Sequence, residues 1–315
     1  MSDTKHLFSI LGAGKFGTAL AHVISKNVNF GNQAIRFYDI KQTCQKIDAN
    51  FIYSNDLKFA CFHEQMHSDQ RLWIVIAVPA SQVYDLVSQI VQFHIKNVTF
   101  ILTSKGTAED GQFLPIKLHG LLASAYSNNF KLAAIAGPHF AQDLIDNQPT
   151  LTSIAINSTD TADLKSIFHS INPIFTDDVL ALQILCVMKN IAAYCCGMGK
   201  RMQLSESSQA ALFGLCISDA YKLLNHYNCK QQLPAPVLAD WILCCTSSSS
   251  RNYAAGLQNT CTQDQLTESL RSAAALRSYL ETQNVTLHCL KLMLEPAENF
   301  INTLSNSLNA EQAAF

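Results

Sequence analysis

Residues 8–21, FSILGAGKFGTALA, decide the fold of this 315-residue chain. The stretch begins as a short apolar strand, continues through a glycine turn and enters a helix. Gly12, Gly14 and Gly17 form the pattern GxGxxG: the first glycine permits the tight turn, the second lets backbone approach a pyrophosphate, and the third lets the helix pack closely on the strand. The N–H groups and the dipole of the helix then face the phosphates. This arrangement predicts a dinucleotide site; the alternative is a glycine turn in a sheet that binds no nucleotide.

An acidic residue follows at the spacing expected of a ribose-binding carboxylate. Asp39 ends the next strand-like run, residues 34–38, about twenty residues beyond the glycine turn. A carboxylate there accepts hydrogen bonds from a ribose 2′-hydroxyl and repels a 2′-phosphate, which favours NAD over NADP. Arg36 and Lys41 are cationic neighbours that would suit a 2′-phosphate, so NADP stays open as the alternative.

The composition is that of a globular protein. Hydrophobic residues make up 48% of the chain, which is ample for a core, and the length favours two domains. A net charge of −2 gives no reason to expect nucleic acid or a membrane surface as partner. The first strand begins almost at the N-terminus, without the pattern of a signal peptide, which predicts a cytoplasmic protein.

Neither a membrane span nor a metal site is expected. No apolar run comes near the roughly eighteen residues that a span needs. The eleven cysteines are scattered without ligand spacing, which predicts reduced, mostly buried thiols. His63 and His67 have the i, i+4 spacing of a metal pair, but with no third ligand in view they are interpreted as surface histidines.

Apolar runs that alternate with helical patterns predict a parallel sheet. Residues 71–79, apolar almost throughout and ending in proline, have the pattern of a strand buried on both faces. Ser81 is placed to cap the helix that follows. Two more buried strands are predicted at residues 98–103 and 132–136, and further edge strands at residues 152–157 and 173–175.

Strand patterns stop near residue 179, and helical patterns continue to the C-terminus. We therefore predict a mostly parallel α/β Rossmann domain at residues 1–177 and an all-helical domain at residues 178–315. Ligands should bind beyond the carboxyl ends of the parallel strands, where Lys105 lies. Helices are predicted in the second domain at residues 179–198, 207–227, 248–256, 264–281 and 287–304.

Two charged residues stand in otherwise apolar helical runs. Lys189 is flanked by apolar residues, so at the centre of a domain its amine needs a partner or a lowered pKa, and burial would tune it toward proton transfer near neutral pH. A lysine at a polar edge of the helix is the alternative. Asp240 lies in VLADWILCC, residues 237–245, where it either caps a helix or pairs with a buried cation, Lys189 being the candidate.

A third polar pair follows a serine tract. Arg251 offers a planar guanidinium and Asn252 an amide, and together they would suit a phosphate dianion. A surface arginine is the alternative.

The chain as a whole resembles the bacterial-type NAD(P)-dependent glycerol-3-phosphate dehydrogenases. The resemblance covers nearly the whole length, and its motifs recur in the order and spacing of the family, which is far more specific than the glycine pattern alone. The segments that carry it are GAGKFGTALA at 12–21, IAVPA at 76–80, SKG at 104–106, AGPHFA at 136–141, MKNIAA at 188–193, QAAL at 209–212, AD at 239–240 and SRNxxxG at 250–256.

The resemblance implies a dehydrogenase that interconverts dihydroxyacetone phosphate and glycerol 3-phosphate with NAD(P), supplies glycerophospholipid precursors and forms a homodimer. It implies that Lys189 exchanges the proton with the C2 oxygen, that Lys105 polarises that oxygen and that Asp240 holds Lys189. The substrate residues implied are Asn190, Arg251, Asn252 and Gly137. The coenzyme residues implied are Gly12, Gly14, Lys15, Phe16, Gly17, Asp39, Pro79, Lys105, Ala141 and Arg251.

The chain departs from the pattern of that family around the lysine helix. The family usually has other residues at eight positions of this chain: His139, Gln183, Leu185, Cys186, Ser207, Leu215, Ala239 and Cys244. At the last of these, the family residue is a threonine that contacts the substrate. Two alternatives stay open. One is a related two-domain dehydrogenase acting on another small hydroxy compound, and the other is a non-catalytic nucleotide-binding or regulatory protein.

Overall fold

The computed structural model of the chain describes residues 6–26, 34–41, 50–61, 70–127, 130–158, 161–258 and 268–313. The chain divides into two units. The sheet unit comprises Met1–Ser104 and Pro115–Val179, and the helical unit comprises Lys105–Leu114 and Leu180–Phe315.

Eight described strands form one sheet in the sheet unit: β1 His6–Leu11, β2 Ile35–Tyr38, β3 Phe51–Ser54, β4 Arg71–Ile76, β5 Val98–Leu102, β6 Lys131–Ala136, β7 Thr152–Ile156 and β8 Pro173–Thr176. Their order across the sheet is β3-β2-β1-β4-β5-β6-β7-β8. All neighbours are parallel except β6 and β7, which are antiparallel. The sheet is therefore mostly parallel, as the sequence predicts, and its strand order reverses between β1 and β4, as in a Rossmann fold.

Helices connect these strands, and the strand residues are apolar because they are buried under neighbouring elements. Fully buried side chains such as Phe8, Trp73 and Ile101 lie in one cluster with Leu20 and Ile24 of the first helix. That burial explains why the strand runs contain so few polar letters. The helices are α1 Lys15–Ser25, α2 Leu57–Cys61, α3 Ala80–Val91, α4 Leu114–Tyr126, α5 Ala141–Ile145 and α6 Thr161–Ile167, with a 3-10 turn at His169–Ile171.

Two details of the sheet unit correct the sequence-based predictions. Strand β7 is not an edge strand, because β8 pairs with it on its outer side. Ser81 does not cap α3: the N-cap is Pro79, and Ser81 already has helical backbone one residue inside. Strand β3 was not predicted, since its short run carries too little periodicity to stand out.

The helical unit contains the rest of the described helices: α7 Val179–Arg201, α8 Glu206–His226, α9 Ala235–Thr246, α10 Arg251–Gln258, α11 Glu268–Glu281, α12 His288–Leu294 and α13 Phe300–Ala313. The single helix predicted at residues 287–304 is wrong. It is divided at Glu295, whose backbone is extended because Pro296 follows, and a 3-10 turn at Ala297–Asn299 precedes α13.

Helix α7 is the core helix of its unit. Among the described residues it alone is long and apolar enough to cross a membrane by length and composition, so the expectation that no run approaches that length is wrong. However, 89% of its apolar window is buried inside the structure. The apolar surface of α7 is therefore covered by protein, as the sequence predicts for a central helix.

The segment Lys105–Leu114 leaves the sheet and packs with the helical unit. An antiparallel bridge between Thr107 and Phe113 closes it into a loop. Gly111 has φ +83° and lies so close to α11 that an added Cβ would be 2.1 Å from the carbonyl oxygen of Ala275. The ring of Phe113 also packs edge-on against Tyr227, with ring centroids 5.6 Å apart. These contacts fix the segment that begins with Lys105.

Candidate active site

The glycine turn joins β1 to α1 with close backbone contacts. Gly12 has φ +102°, and an added Cβ would be 2.6 Å from the carbonyl oxygen of Ala77. A Cβ on Gly17 would be 2.1 Å from the carbonyl oxygen of Gly12. Gly14, by contrast, faces open space, since a Cβ added there would meet no heavy atom within 4 Å. The turn and packing roles predicted for Gly12 and Gly17 are confirmed, and the opening lies over Gly14.

The residues around this turn fit a dinucleotide. Gly14 is the N-cap of α1 and has no side chain with which to cap it, so the first-turn N–H groups are left for an anion. The Asp39 carboxylate lies beside the turn: Oδ2 accepts a hydrogen bond from the N–H of Ala13 at 2.9 Å, and Oδ1 accepts one from the N–H of Lys41 at 2.8 Å. An open anion site next to a fixed carboxylate suits a diphosphate and a ribose.

Other predicted coenzyme and substrate residues lie at the same edge of the sheet, because β1, β4, β5 and β6 run parallel. Pro79 follows β4, Gly137 follows β6, and Ala141 begins α5. A Cβ on Gly137 would be 2.6 Å from the ring of His139, whose Nε2 is 2.7 Å from the hydroxyl of Thr152. The turn at Gly137 is therefore closed around the histidine.

In the helical unit, one carboxylate lies between two lysines. Asp240 Oδ2 is 2.9 Å from Lys105 Nζ and 3.4 Å from Lys189 Nζ. Lys189 and Asp240 are each only 4% exposed. Asp240 lies in the middle of α9, so the helix-cap alternative is wrong. The predicted pairing of Asp240 with Lys189 is confirmed, and Lys105 is its second partner.

Two hydrogen bonds hold the elements that carry these charges. Trp241 Nε1 donates to the carbonyl oxygen of Leu185 at 3.1 Å, which attaches α9 to α7. Asn190 Nδ2 donates to the carbonyl oxygen of Lys105 at 2.8 Å, which attaches the segment Lys105–Leu114 to α7. Asn190, the residue after Lys189, therefore holds the backbone of Lys105 in place.

Cys244 completes the cluster, one turn beyond Asp240 on α9. Lys189 Nζ donates to its Sγ at 3.2 Å, and the thiol donates to Asp240 Oδ1 at 3.3 Å. Sequence reasoning noted Cys244 only as a departure from the family. Its i, i+4 spacing from Asp240 is the signal that could have placed it in the site.

The protonation of the cluster is set by its charges. Burial lowers the pKa of Lys189, but the opposing effects of Asp240, Cys244 and Cys186 are larger together and raise it above its ordinary value. Of the two possibilities predicted for Lys189, a partner or a lowered pKa, the partner is confirmed and the lowered pKa is wrong. Burial likewise raises the pKa of Asp240, but Lys105 and Lys189 outweigh it and bring the pKa to about 2. The cluster thus holds two ammonium groups and one carboxylate, and its net positive charge suits an oxygen that gains negative charge.

Arg251 and Asn252 open helix α10 in the same unit. Arg251 is exposed, and none of the described residues forms an ion pair with it. Asn252 Oδ1 accepts a hydrogen bond from the Ser269 hydroxyl at 2.6 Å, which leaves the amide nitrogen as its donor. Both side chains therefore offer N–H groups, the chemistry that a phosphate requires.

Helices α7 and α10 touch backbone to backbone through two glycines. An added Cβ on Gly197 would be 2.1 Å from the carbonyl oxygen of Tyr253, and one on Gly256 would be 2.1 Å from that of Tyr194. The contact is reciprocal, so neither glycine can gain a methyl group unless the helices separate. The crossing fixes the helix that carries Arg251 against the helix that carries Lys189.

Gly256→Ala is expected to lower the free energy of unfolding by about 1–3 kcal/mol, because the new methyl group would overpack this crossing. The matched control is Gly214→Ala in α8, where an added Cβ meets nothing within 4 Å and should be neutral or slightly stabilising. Urea unfolding of both variants measures the difference. Equal stabilities would contradict the assigned contact.

The described thiols are reduced, as predicted. Nine described cysteines are free, and all but Cys229 are buried. Among the residues that the structure places, no three His, Cys, Asp or Glu side chains are grouped so that they could hold a metal ion. His63 and His67 lie outside the described residues.

Two family models match the chain. The model of the NAD-dependent glycerol-3-phosphate dehydrogenase N-terminus matches residues 8–162, and the model of the C-terminus of the same family matches residues 178–299. The chain belongs to this family. Membership in the NAD-dependent glycerol-3-phosphate dehydrogenases confirms the resemblance, the NAD(P) cofactor class and the oxidoreductase class predicted from the sequence.

Relatives support the same assignment over most of the chain. The glycerol-3-phosphate dehydrogenase [NAD(P)+] of Mesoplasma florum is 25% identical, and the alignment covers 97% of this chain and 94% of the relative. That of Coxiella burnetii is 26% identical over 82% of this chain and 79% of the relative. The crystal structure of glycerol-3-phosphate dehydrogenase from Coxiella burnetii superposes with a TM-score of 0.80 at 20% identity, covering 98% and 99% of the two chains. The fold is therefore that of the dehydrogenase family.

Proposed function

We propose that the protein catalyses the reversible NAD(P)-dependent reduction of dihydroxyacetone phosphate to sn-glycerol 3-phosphate, a precursor of glycerophospholipids. The observation that carries the proposal is the buried cluster in which Asp240 lies 2.9 Å from Lys105 and 3.4 Å from Lys189. Two ammonium groups around one carboxylate suit proton donation to a carbonyl oxygen that is being reduced. Family membership supplies the class of coenzyme and substrate.

The sheet unit would hold the coenzyme. The N–H groups at the start of α1, from Lys15 to Gly17, would bind the diphosphate over Gly14, and Asp39 would bind the adenosine ribose. The remaining coenzyme residues proposed are Gly12, Pro79, Lys105, Ala141 and Arg251. When bound, the nicotinamide supplies or accepts the hydride.

Lys189 would act as the proton donor. In the direction of reduction, its ammonium group gives a proton to the C2 oxygen, while Lys105 stabilises the negative charge that develops there. An ammonium group whose pKa is raised gives up its proton only to a strongly basic oxygen, so transfer waits until the carbonyl gains alkoxide character. In the direction of oxidation, the neutral amine of Lys189 takes the proton back, and Asp240 stabilises the ammonium group that results.

Arg251 and Asn252 would hold the phosphate. The planar guanidinium can donate two parallel hydrogen bonds to phosphate oxygens, and the Asn252 amide nitrogen can donate a third. Gly137 and Asn190 are proposed to contact the remainder of the substrate. Binding of the phosphate then contributes to catalysis by positioning the carbonyl.

The test is a steady-state assay of the purified protein. We expect NADH oxidation with dihydroxyacetone phosphate, much slower turnover with dihydroxyacetone, and a preference for NADH over NADPH because of Asp39. In the reverse direction, glycerol 3-phosphate should be the best of a panel of small hydroxy compounds. A better substrate without phosphate would favour the related-dehydrogenase alternative, and bound NADH without any turnover would favour the non-catalytic one.

We further propose that the enzyme acts in the cytoplasm as a homodimer, with residues 1–177 as the coenzyme domain and residues 178–315 as the substrate domain. The family resemblance supports this assembly. Light scattering coupled to gel filtration tests it, and a monomer at micromolar concentration would contradict it.

A further inference from the structure

Both polar functions of Cys244 are used inside the charged cluster. Its sulfur accepts from Lys189 Nζ at 3.2 Å, and its S–H donates to Asp240 Oδ1 at 3.3 Å. Since Lys189 is also 3.4 Å from Asp240 Oδ2, the three side chains form a closed ring of contacts. Cys244 is only 8% exposed, so little water competes for these contacts.

The ring determines where the ammonium group of Lys189 points. An ammonium group has three N–H donors. One of them is donated to the sulfur of Cys244, whereas Asp240 Oδ2, at 3.4 Å, attracts the ammonium group by its charge and accepts no hydrogen bond from it. Without the sulfur, the ammonium group would keep only its charge attraction to Asp240 and could rotate about its terminal bond.

The thiol also orients the carboxylate. Oδ2 of Asp240 forms ion pairs with both lysines, and Oδ1 accepts a hydrogen bond from the thiol of Cys244. Burial raises the pKa of Cys244, more than the nearby Lys189 lowers it, so the sulfur keeps the proton that it donates. The two oxygens of Asp240 thus have different partners, which opposes rotation of the carboxylate.

We propose that Cys244 is a positioning residue, which holds Lys189 and Asp240 so that one N–H of Lys189 is directed at the C2 oxygen of the substrate. The proposal rests on the proposed function. It differs from the role implied by the resemblance, in which a threonine at this position contacts the substrate: here the S–H is donated to Asp240 and the sulfur accepts from Lys189. Cys244 therefore affects the rate of proton transfer and leaves substrate affinity unchanged.

The test compares Cys244→Ala with Cys244→Ser. Alanine removes both contacts, and kcat for dihydroxyacetone phosphate should fall about ten- to a hundredfold while KM changes less than about twofold, since a misdirected donor is costly without weakening binding. Serine keeps a donor and an acceptor and should recover most of the loss. Because Cys244 helps to raise the pKa of Lys189, the basic limb of the kcat profile should move to lower pH in Cys244→Ala and return in Cys244→Ser.

The control is Cys245→Ala, the next residue on α9. Cys245 is also buried, and a hydrogen bond to Cys196 together with burial raises its pKa, so its variant should report the effect of deleting a buried thiol that lies outside the cluster. The inference is overturned if Cys244→Ala raises KM at constant kcat, which indicates substrate contact, or if Cys245→Ala has the same effect on kcat.

A readout without substrate separates this inference from the proposed function. In crystal structures of wild type and Cys244→Ala, the Lys189 ammonium group should move from its position 3.4 Å from Asp240 Oδ2. An unchanged Lys189 side chain overturns the positioning role. A wild type that is inert toward dihydroxyacetone phosphate overturns the proposed function, whatever the crystal structures give.

Discussion

Asp240→Asn is expected to lower the free energy of unfolding by about 3–5 kcal/mol at pH 7, because it leaves Lys105 and Lys189 without the carboxylate that compensates their burial. Turnover should fall by about 10²–10⁴ in the same variant, since the proton donor loses both its charge and its orientation. Urea unfolding measures the first effect and NADH oxidation the second.

The dependence of stability on pH should differ between the two proteins. In wild type the pKa of Lys189 is raised, so its contribution is complete below the unfolded value of about 10.4 and is lost above it. In Asp240→Asn, burial dominates and lowers this pKa, so stability should rise as the pH climbs toward about 10.4. On the acid side, wild type should lose the contribution of Asp240 as the pH falls from about 3.9 to about 2.

A second carboxylate of the helical unit provides the control. Glu311 forms an ion pair with Lys222 at 2.6 Å, but the Lys222 side chain is 36% exposed. Glu311→Gln should therefore cost no more than about 1 kcal/mol and should show no rise of stability with alkaline pH. If Asp240→Asn behaves like Glu311→Gln at both pH 7 and pH 9.5, Asp240 is not the buried counter-ion of two lysines.

Lys189→Met is expected to lower kcat by about 10²–10⁴ while the Kd for NADH stays the same. Methionine fills a similar apolar volume, and Lys105 keeps its 2.9 Å contact with Asp240, so the variant should remain folded. Its fluorescence titration with NADH and its single-turnover rate separate coenzyme binding from chemistry.

The matched control for this variant is Lys200→Met, an exposed lysine on the same helix, which should leave kcat unchanged. Residual turnover above a tenth of wild type in Lys189→Met would assign the proton to another group. Equal inactivity of wild type and Lys189→Met, with NADH still bound, would favour a non-catalytic protein.

The parts of the site that sequence could predict are those that break a local pattern. The three glycines stand at fixed spacing between a strand and a helix, and Lys189 and Asp240 are charges within apolar helices. Cys244 breaks no pattern, because a buried thiol reads as one more apolar residue. Its hydrogen bond to Asp240 lies within α9, but its contact with Lys189 exists only once α9 packs on α7, so its place beside the lysine depends on tertiary structure.

The direction in which the pKa of Lys189 shifts also could not be predicted from sequence alone. Burial can be inferred from the neighbours of Lys189 in sequence, and burial alone lowers the pKa. The opposing charge of Asp240 comes from a different helix, and the shared partner Lys105 comes from a loop beyond β5. The sign of the shift therefore required the distances. The prediction that Ser81 caps α3 was wrong for a simpler reason: several positions near Pro79 could have begun the helix.

The segment Lys105–Leu114 is synthesised long before its partners. Lys105 and Asp240 are 135 residues apart, and at about 5–20 residues per second the ribosome needs about 7 to 27 s to add that length. During this interval β1 to β5 are already made, but α9 and α11 are not. A nascent or prematurely terminated chain can thus carry the glycine turn while Lys105 has no carboxylate to pair with. On the roles proposed for Lys189 and Asp240, a chain that ends before residue 240 should therefore not reduce the substrate, even where its glycine turn is folded.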